Sequence, residues 1–154
     1  MSRARAVAID LDGALGDTRP LWRAWLESAA PLLGVDPEAL SADRGEAAAE
    51  LDRRGAGNWR TLLERFSEER APVYLRRDAA AAAALRAIAA DDRAIGVYTD
   101  APDPLARVAL AQLGADRRVA ALETGDGALE RLLARLGADA VVVRTRAELD
   151  LVPA

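Results

Sequence analysis

A short apolar run near the start of the chain is followed directly by two acidic residues. Ala6-Val-Ala-Ile9 runs straight into Asp10-Leu-Asp-Gly13. An apolar run of this length that ends in polar residues is typical of a buried strand in a parallel sheet. Further apolar runs at Ala94–Tyr98 and Ala140–Val143, each preceded by a helical pattern, predict more such strands. The alternation predicts an α/β fold with a parallel sheet and crossover helices.

A helical insertion separates the first two of these strands. Apolar residues recur at three- and four-residue steps from Pro20 to about Arg70, with predicted breaks at Pro31, Gly34 and Pro72. A second helix is expected to start at Asp36 and to run to about Arg54. Caps are also expected at Asn58 and Asp78. The large aromatic residues at helical spacing predict a hydrophobic core for the insertion itself: Trp22, Trp25, Trp59 and Phe66.

Three amino-acid types are missing from the chain, and their absence limits its chemistry. There is no cysteine, no histidine and no lysine, so all 21 cationic residues are arginines. Catalysis must therefore use carboxylates, hydroxyls, arginines, backbone amides or a metal held by oxygen. The net charge of −4 without a basic stripe predicts no nucleic-acid partner. No apolar run is long enough for a signal peptide or a membrane span, so we expect a cytoplasmic protein without a membrane partner.

Asp10 and Asp12 are the residues best placed to do chemistry. Two positions apart on an extended segment, they start on the same face, roughly 7 Å apart. One can attack a phosphorus centre while the other protonates the leaving oxygen. Gly13 lets the chain turn and leaves backbone amides for a phosphate. Thr99 and Arg144 also follow strands, where ligands bind in parallel sheets. The alternative is a polar loop with acids present by chance.

The segment Asp10-Leu-Asp-Gly-Ala-Leu-Gly-Asp-Thr-Arg-Pro-Leu-Trp22 resembles the first motif of haloacid-dehalogenase-like (HAD) phosphatases with a helical cap, of the phosphoglycolate-phosphatase and phosphoglucomutase branch. Thr99-Asp100 resembles the second motif. The resemblance implies a Rossmann-like core at 1–18 and 75–154 with a small helical cap at 19–74. It implies that Asp10 is the nucleophile and Asp12 the general acid/base, with Asp10 carboxylate and Asp12 carbonyl on Mg²⁺ and Thr99 on the phosphate. Asp12 favours phosphate esters over halides.

The second half departs from this pattern. The third-motif region reads Thr124-Gly-Asp-Gly127, without the expected cation, and Arg117 and Arg118 are alternative sources or surface residues. The fourth-motif region reads Arg144-Thr145-Arg146 instead of acids, so weak Mg²⁺ binding is predicted. Arg144 is expected to bind the phosphate or to pair with Asp10. Asp100 or Asp126 could complete the metal shell or simply cap a helix.

These observations predict a Mg²⁺-assisted phosphomonoesterase that acts on a small phosphorylated metabolite through an aspartyl-phosphate on Asp10. The alternative is a catalytically impaired HAD-like module that binds a small anion or a protein partner. A third hypothesis is dimerisation through the cap. The expected assembly is a monomer or a homodimer.

Overall fold

The sheet has four parallel strands. A computed structural model describes residues 5–153 of the chain. The strands are β1 (Val7–Asp10), β2 (Ile95–Thr99), β3 (Ala121–Thr124) and β4 (Val141–Val143), in the spatial order β3-β2-β1-β4. All three strand pairs are parallel. The predicted α/β fold is confirmed, with the first strand of the sequence at the centre beside β2 and β4.

Seven α-helices lie in the insertion or pack around this sheet in the described part of the chain. They are α1 (Arg19–Leu33), α2 (Arg44–Arg53), α3 (Trp59–Tyr74), α4 (Ala79–Ala90), α5 (Asp103–Gln112), α6 (Ala128–Leu136) and α7 (Arg146–Leu151), with short 3-10 turns at Pro37–Ala39 and Asp116–Arg118. None of these helices combines the length and the apolar character that crossing a membrane requires.

The strand register sets which side chains share a face at the carboxyl edge. Ile9 lies opposite Val97 on β2 and Val143 on β4, and Asp10 lies opposite Tyr98. Ile9 and its neighbours pack against α4 and α5, whereas Ala8 and Tyr98 pack on the opposite face against α6. Because all strands run the same way, β1, β2 and β4 end at one edge of the sheet. Asp10 and Thr99 therefore share one crevice, as the sequence predicted.

The insertion, which comprises α1, α2 and α3, has the predicted aromatic core. Trp25 and Trp59 are each 1% exposed, with ring centroids 6.0 Å apart, and Trp22 lies 5.2 Å from Trp25. The same cluster of buried residues includes Ala101 and Leu105 at the start of α5. The insertion is therefore packed directly onto the sheet-bearing part of the chain through α5.

Three predicted helix boundaries are wrong. Helix α1 continues through Pro31 and ends, as predicted, at the left-handed Gly34, and α3 continues through Pro72 to Tyr74. The buried faces of both helices stay packed on either side of the proline. This packing outweighs the one backbone hydrogen bond that each helix lacks. Asp36 caps only a 3-10 turn, and α2 begins later, after Asp43, whose side chain accepts a hydrogen bond from the Glu46 amide. Asn58 precedes α3 but its side chain makes no capping bond.

Candidate functional site

Asp10 ends β1 with its carboxyl group at the mouth of the crevice. Its Oδ1 accepts a hydrogen bond from the Asp12 amide at 3.1 Å. Burial, and then the negative charge of Asp12, raises the pKa of Asp10 to about 6. The carboxyl group is therefore held close to a second negative charge with little compensation from any cation.

Gly13 makes the sharp turn that follows the two acids. Its φ is +105°, and a Cβ at this position would lie 2.9 Å from the Arg144 carbonyl oxygen, so a side chain does not fit. The turn closes on itself, because the Gly13 amide donates to the Gly16 carbonyl at 2.8 Å. The turn therefore uses the Gly13 amide internally, and the role of Gly13 in a phosphate site stays a prediction.

Asp12 is the most heavily hydrogen-bonded acid of the site. Its Oδ1 accepts from the Thr18 amide at 2.8 Å and from the Thr18 hydroxyl at 2.7 Å. Its Oδ2 accepts from the Thr99 hydroxyl at 2.8 Å. The structure thus brings together Asp12 and Thr99, two of the residues that the sequence selected.

Arg44 of α2 enters the crevice from the insertion, and the sequence analysis missed it. The residue is 2% exposed. Its Nη2 donates to Asp12 Oδ2 at 2.5 Å and to Asp100 Oδ1 at 2.7 Å, and its Nη1 donates to the Thr18 hydroxyl at 2.5 Å. Nη2 also lies 3.5 Å from the Thr99 hydroxyl. This one arginine therefore joins the insertion to both acid-bearing ends of β1 and β2.

One signal in the sequence could have identified Arg44. It is the first residue of α2, directly after the Asp43 cap. A cation there is unfavourable, since the amino end of a helix carries partial positive charge. An arginine in this position therefore needs an acidic partner from elsewhere in the fold, and here it has two.

Arg144 does not pair with Asp10, which corrects one of the two roles expected for it. Its side chain is exposed, and no ion pair joins it to Asp10 within residues 5–153. Its backbone amide donates to Glu148 Oε2 at 3.3 Å. The Glu148 amide donates a hydrogen bond to the Thr145 hydroxyl at 3.2 Å and so caps the start of α7. This helix turns the chain away from the crevice just after β4. Whether Arg144 binds a phosphate stays a prediction.

Arg146 is the cation of this segment that points inward. Its Nε donates to the Ala14 carbonyl at 2.6 Å, its Nη2 to the Leu15 carbonyl at 3.0 Å, and its Nη1 pairs with Asp78 at 2.8 Å. It stabilises the turn after Asp12 from outside the crevice and leaves no charge at the reacting edge.

The other alternative cations and ligands also lie outside the reacting edge or are already engaged. Arg117 and Arg118 form the 3-10 turn at 116–118 and do not line the crevice. Asp100 is paired with Arg44. Asp126 lies against Gly45 of α2, and burial followed by the charge of Asp43 raises its pKa.

The crevice is open, with a volume of about 440 Å³. It is walled by the two acids, the insertion's arginines, the end of β2 and the loop before α6: Asp10, Asp12, Arg19, Arg44, Tyr98, Thr99, Asp100, Gly125, Gly127, Ala128, Leu129 and Glu130. Three carboxyl groups at the ends of β1 and β2, those of Asp10, Asp12 and Asp100, line the crevice together with the buried guanidinium of Arg44. The crevice therefore carries excess negative charge unless a cation enters it.

The residues of the crevice offer a magnesium ion one carboxylate that is not ion-paired, that of Asp10, and weak binding stays a prediction. The Asp10 carboxylate has no ion-pair partner within residues 5–153, and burial and then the charge of Asp12 raise its pKa, an effect that a divalent cation would oppose. Magnesium is commonly bound by one or two carboxylates together with substrate phosphates. However, no group of three or more acidic side chains in residues 5–153 is arranged to hold a metal. Asp10 is the one inner acid left for an ion.

Known structures share this fold. No protein-family model matches the sequence, and no curated protein matches it significantly. CbbY from Rhodobacter sphaeroides, solved in complex with phosphate, is similar with a TM-score of 0.66 and 17% identity over 91% of this chain and 77% of that one. A protein assigned as a β-phosphoglucomutase from Thermotoga maritima has a TM-score of 0.53 and 20% identity, over 90% and 75% of the two chains.

A HAD-superfamily hydrolase of subfamily IA from Geobacter sulfurreducens is similar to the same degree, with a TM-score of 0.54 and 20% identity over 88% of this chain and 75% of that one. The parallel sheet, the helical insertion after β1 and these similarities define an α/β protein with a HAD-like fold.

Proposed function

We propose that this chain is a Mg²⁺-assisted phosphomonoesterase for a small phosphorylated metabolite, acting through an aspartyl-phosphate on Asp10. The observation that carries the proposal is the position of Asp10. Its carboxyl group lies at the carboxyl edge of the sheet beside Asp12 and Thr99, and it is the one inner acid of the crevice that Arg44 does not bind. The similarity to a protein solved with bound phosphate supports the same ligand class.

The residues divide the reaction between them. A carboxylate oxygen of Asp10 forms a bond to phosphorus while the bond from phosphorus to the ester oxygen breaks. Asp12 gives its proton to that leaving oxygen. It later takes a proton from the water that attacks phosphorus, while the bond from phosphorus to the Asp10 oxygen breaks and inorganic phosphate leaves. Thr99 donates its hydroxyl hydrogen to the phosphoryl group in place of Asp12. Asp10 carboxylate and Asp12 carbonyl would hold the magnesium ion, which supplies positive charge when bound.

Arg44 sets a condition on this chemistry. Its guanidinium donates to Asp12 at 2.5 Å and to Asp100 at 2.7 Å, so the Asp12 carboxyl group is engaged before a substrate binds. An anionic substrate competes with Asp12 and Asp100 for the guanidinium, because a phosphate accepts the same pair of N–H groups. Substrate binding is therefore expected to release Asp12.

The test is turnover of an aryl phosphate with and without Mg²⁺, together with mass spectrometry of the protein after rapid quenching. Wild type should hydrolyse the ester in Mg²⁺ and gain one phosphoryl group, and Asp10→Asn should do neither. Asp103→Asn is the matched control, since Asp103 is an exposed acid at the start of α5 that pairs only with Arg107. An Asp10→Asn protein that keeps wild-type turnover would rule out the aspartyl-phosphate.

A second candidate function rests on Arg44. A buried guanidinium that holds Asp12 and Asp100 is the arrangement expected of a catalytically impaired module that binds an anion or a protein partner. This candidate predicts no phosphorylated protein and no turnover in wild type at any Mg²⁺ concentration. The cytoplasmic location and the monomeric or homodimeric state remain predictions under either function.

A further inference from the structure

A second cavity adjoins the crevice and is lined by residues of the insertion between positions 19 and 44. It has a volume of about 760 Å³, compared with about 440 Å³ for the crevice itself. Arg19 and Arg44 line both spaces, so the two adjoin at these residues. Small-molecule sites in proteins commonly have volumes of roughly 300–1,000 Å³. The second cavity is therefore large enough to hold an organic group of its own.

Part of the wall of this cavity is apolar. Helix α1 contributes Trp22 and Leu26, and the 3-10 turn and the segment after it contribute Pro37 and Leu40. Trp22 and Leu26 belong to the buried core of the insertion, and Leu40 packs against that core. Pro37 and Leu40 are half-buried, which leaves apolar surface for a ligand to cover. Covering such surface with an apolar group is favourable in water.

The charged residues of the cavity leave no surplus cation. Arg19 is paired with Asp17 at 2.8 Å, and Arg44 is paired with Asp12 and Asp100. The charged lining residues without an ion-pair partner in the described part of the chain are one cation and two acids: Arg23, Glu27 and Glu38. A second negative charge on a ligand would therefore meet more acid than base here, which selects against it.

We propose that this cavity binds the organic part of the substrate, and that the substrate is the phosphate monoester of an uncharged alcohol that carries an apolar ring. The phosphoryl group lies at Asp10, and the organic part extends past Arg19 to the apolar wall at Leu26 and Leu40. Esters with a carboxylate or a second phosphate on the organic part are poor ligands. The inference rests on the proposed function, because it needs a phosphoryl group at Asp10.

The experiment measures the binding of three phosphonates by calorimetry in saturating Mg²⁺. Their carbon–phosphorus bond is not hydrolysed as an ester is, so binding is measured apart from turnover. Benzylphosphonate should bind about tenfold more tightly than methylphosphonate, because its ring covers the apolar wall. 4-Carboxybenzylphosphonate, which has the same ring and one more negative charge, should lose most of this gain.

Two variants test where the ring lies. Ala42 is an exposed residue of the cavity wall, so the side chain of Ala42→Trp fills space that the ring needs and should remove the preference for benzylphosphonate over methylphosphonate. Ala39→Trp is the matched control, since Ala39 is exposed in the 3-10 turn but does not line the cavity, and it should keep the preference. The double variant Glu27→Gln, Glu38→Gln should bring the affinity for 4-carboxybenzylphosphonate close to that for benzylphosphonate.

The outcomes separate this inference from the proposed function. If wild type binds methylphosphonate and benzylphosphonate equally well, or if Ala42→Trp keeps the preference, the inference is wrong and the proposed function stands. Equal binding of the two ring compounds would overturn the uncharged substrate class. If Ala42→Trp removes the preference but wild type hydrolyses no ester, the ligand class stands and the proposed turnover fails. If wild type binds none of the three phosphonates, both are wrong.

Discussion

Asp10 and Asp12 are two residues apart, yet Asp10 lies beside other negative charges whereas Asp12 accepts hydrogen bonds from an arginine. Asp10 is half-buried beside other carboxyl groups, and its pKa is raised to about 6. Asp12 accepts hydrogen bonds from Thr18, Thr99 and Arg44. The charged form of Asp10 is therefore unfavourable in the metal-free folded protein, whereas the Asp12 carboxyl group is held in place by one guanidinium and two hydroxyl-bearing residues. Asp10 can act as a nucleophile only in its charged form, which a cation bound in the crevice would favour.

Asp10→Asn should stabilise the metal-free protein at neutral pH. Between about pH 4 and 6 the folded state keeps a proton on Asp10 that the unfolded state has lost, so the contribution of Asp10 to stability falls as pH rises through this window. Asparagine removes the charge and keeps an oxygen for the Asp12 amide. We expect a gain of about 1 kcal/mol at pH 7, since solvent screens a half-exposed group. The gain should vanish near pH 4.

The measurement is urea unfolding of both proteins in chelator-containing buffer from pH 4 to pH 7. The difference in free energy of unfolding should grow across the window and then level off. A constant difference at every pH would mean that the Asp10 carboxyl group titrates normally in the folded protein.

Asp12→Asn should have the opposite effect. It removes one of the two charges that pair with the buried Arg44 and weakens the hydrogen bonds from Thr18 and Thr99. Losing hydrogen bonds to a charged group predicts destabilisation of about 1.5–3 kcal/mol at pH 7. Urea unfolding beside Asp10→Asn measures it. Equal effects of the two variants would show that Arg44 does not stabilise the Asp12 carboxylate.

At the level of elements, the start of α2 rests against the loop between β3 and α6. Gly45 has no room for a side chain, because a Cβ would lie 2.9 Å from the Asp126 amide nitrogen and still closer to the Asp126 carboxyl group. This close approach lets Arg44, the preceding residue, reach Asp12 and Asp100. The glycine is therefore required for the close packing of α2 against this loop.

Gly45→Ala should destabilise the protein by about 1–3 kcal/mol, the usual cost of overpacking, although alanine in a helix is ordinarily favourable by about 1 kcal/mol. Thermal or urea unfolding measures the change. In an Asp126→Ala background the cost should be smaller, since the two closest side-chain atoms are gone. Additive effects in this double-mutant cycle would show that Gly45 and Asp126 do not press on each other.

Local patterns predicted the elements better than they predicted the site. The apolar runs gave β1, β2 and β4 within one residue, and Asp78 caps α4 as expected. Proline was misread, because tertiary packing carries α1 and α3 through Pro31 and Pro72. Arg44 escaped notice since its contacts with Asp100 span 56 residues and depend on how the insertion folds back. The apolar pattern placed Tyr98 at the buried end of a strand and indicated no role for it in the site.

For the molecule as a whole, the insertion is attached to the sheet in two different ways. Helix α3 packs on α5 through apolar residues such as Leu63 and Leu105. Helix α2 reaches the carboxyl edge through the Arg44 ion pairs. Apolar contacts keep α3 in place whatever occupies the crevice, whereas an ion pair can be exchanged for a charged ligand. The part of the insertion that moves on ligand binding should therefore be α2 and the segment before it.

Arg44→Met should loosen this attachment without unfolding the sheet. Methionine keeps the apolar stem but removes the hydrogen bonds to Asp12, Asp100 and Thr18. Amide hydrogen exchange should accelerate at residues 40–53 and stay unchanged in β1 and β2, because local opening of α2 does not require global unfolding. Arg107→Met is the matched control, since Arg107 lies outside the insertion and pairs with Asp103 of its own helix α5. If Arg44→Met leaves exchange in α2 as slow as in wild type and Arg107→Met, apolar packing alone holds α2 beside the crevice and Arg44 does not control access to Asp10.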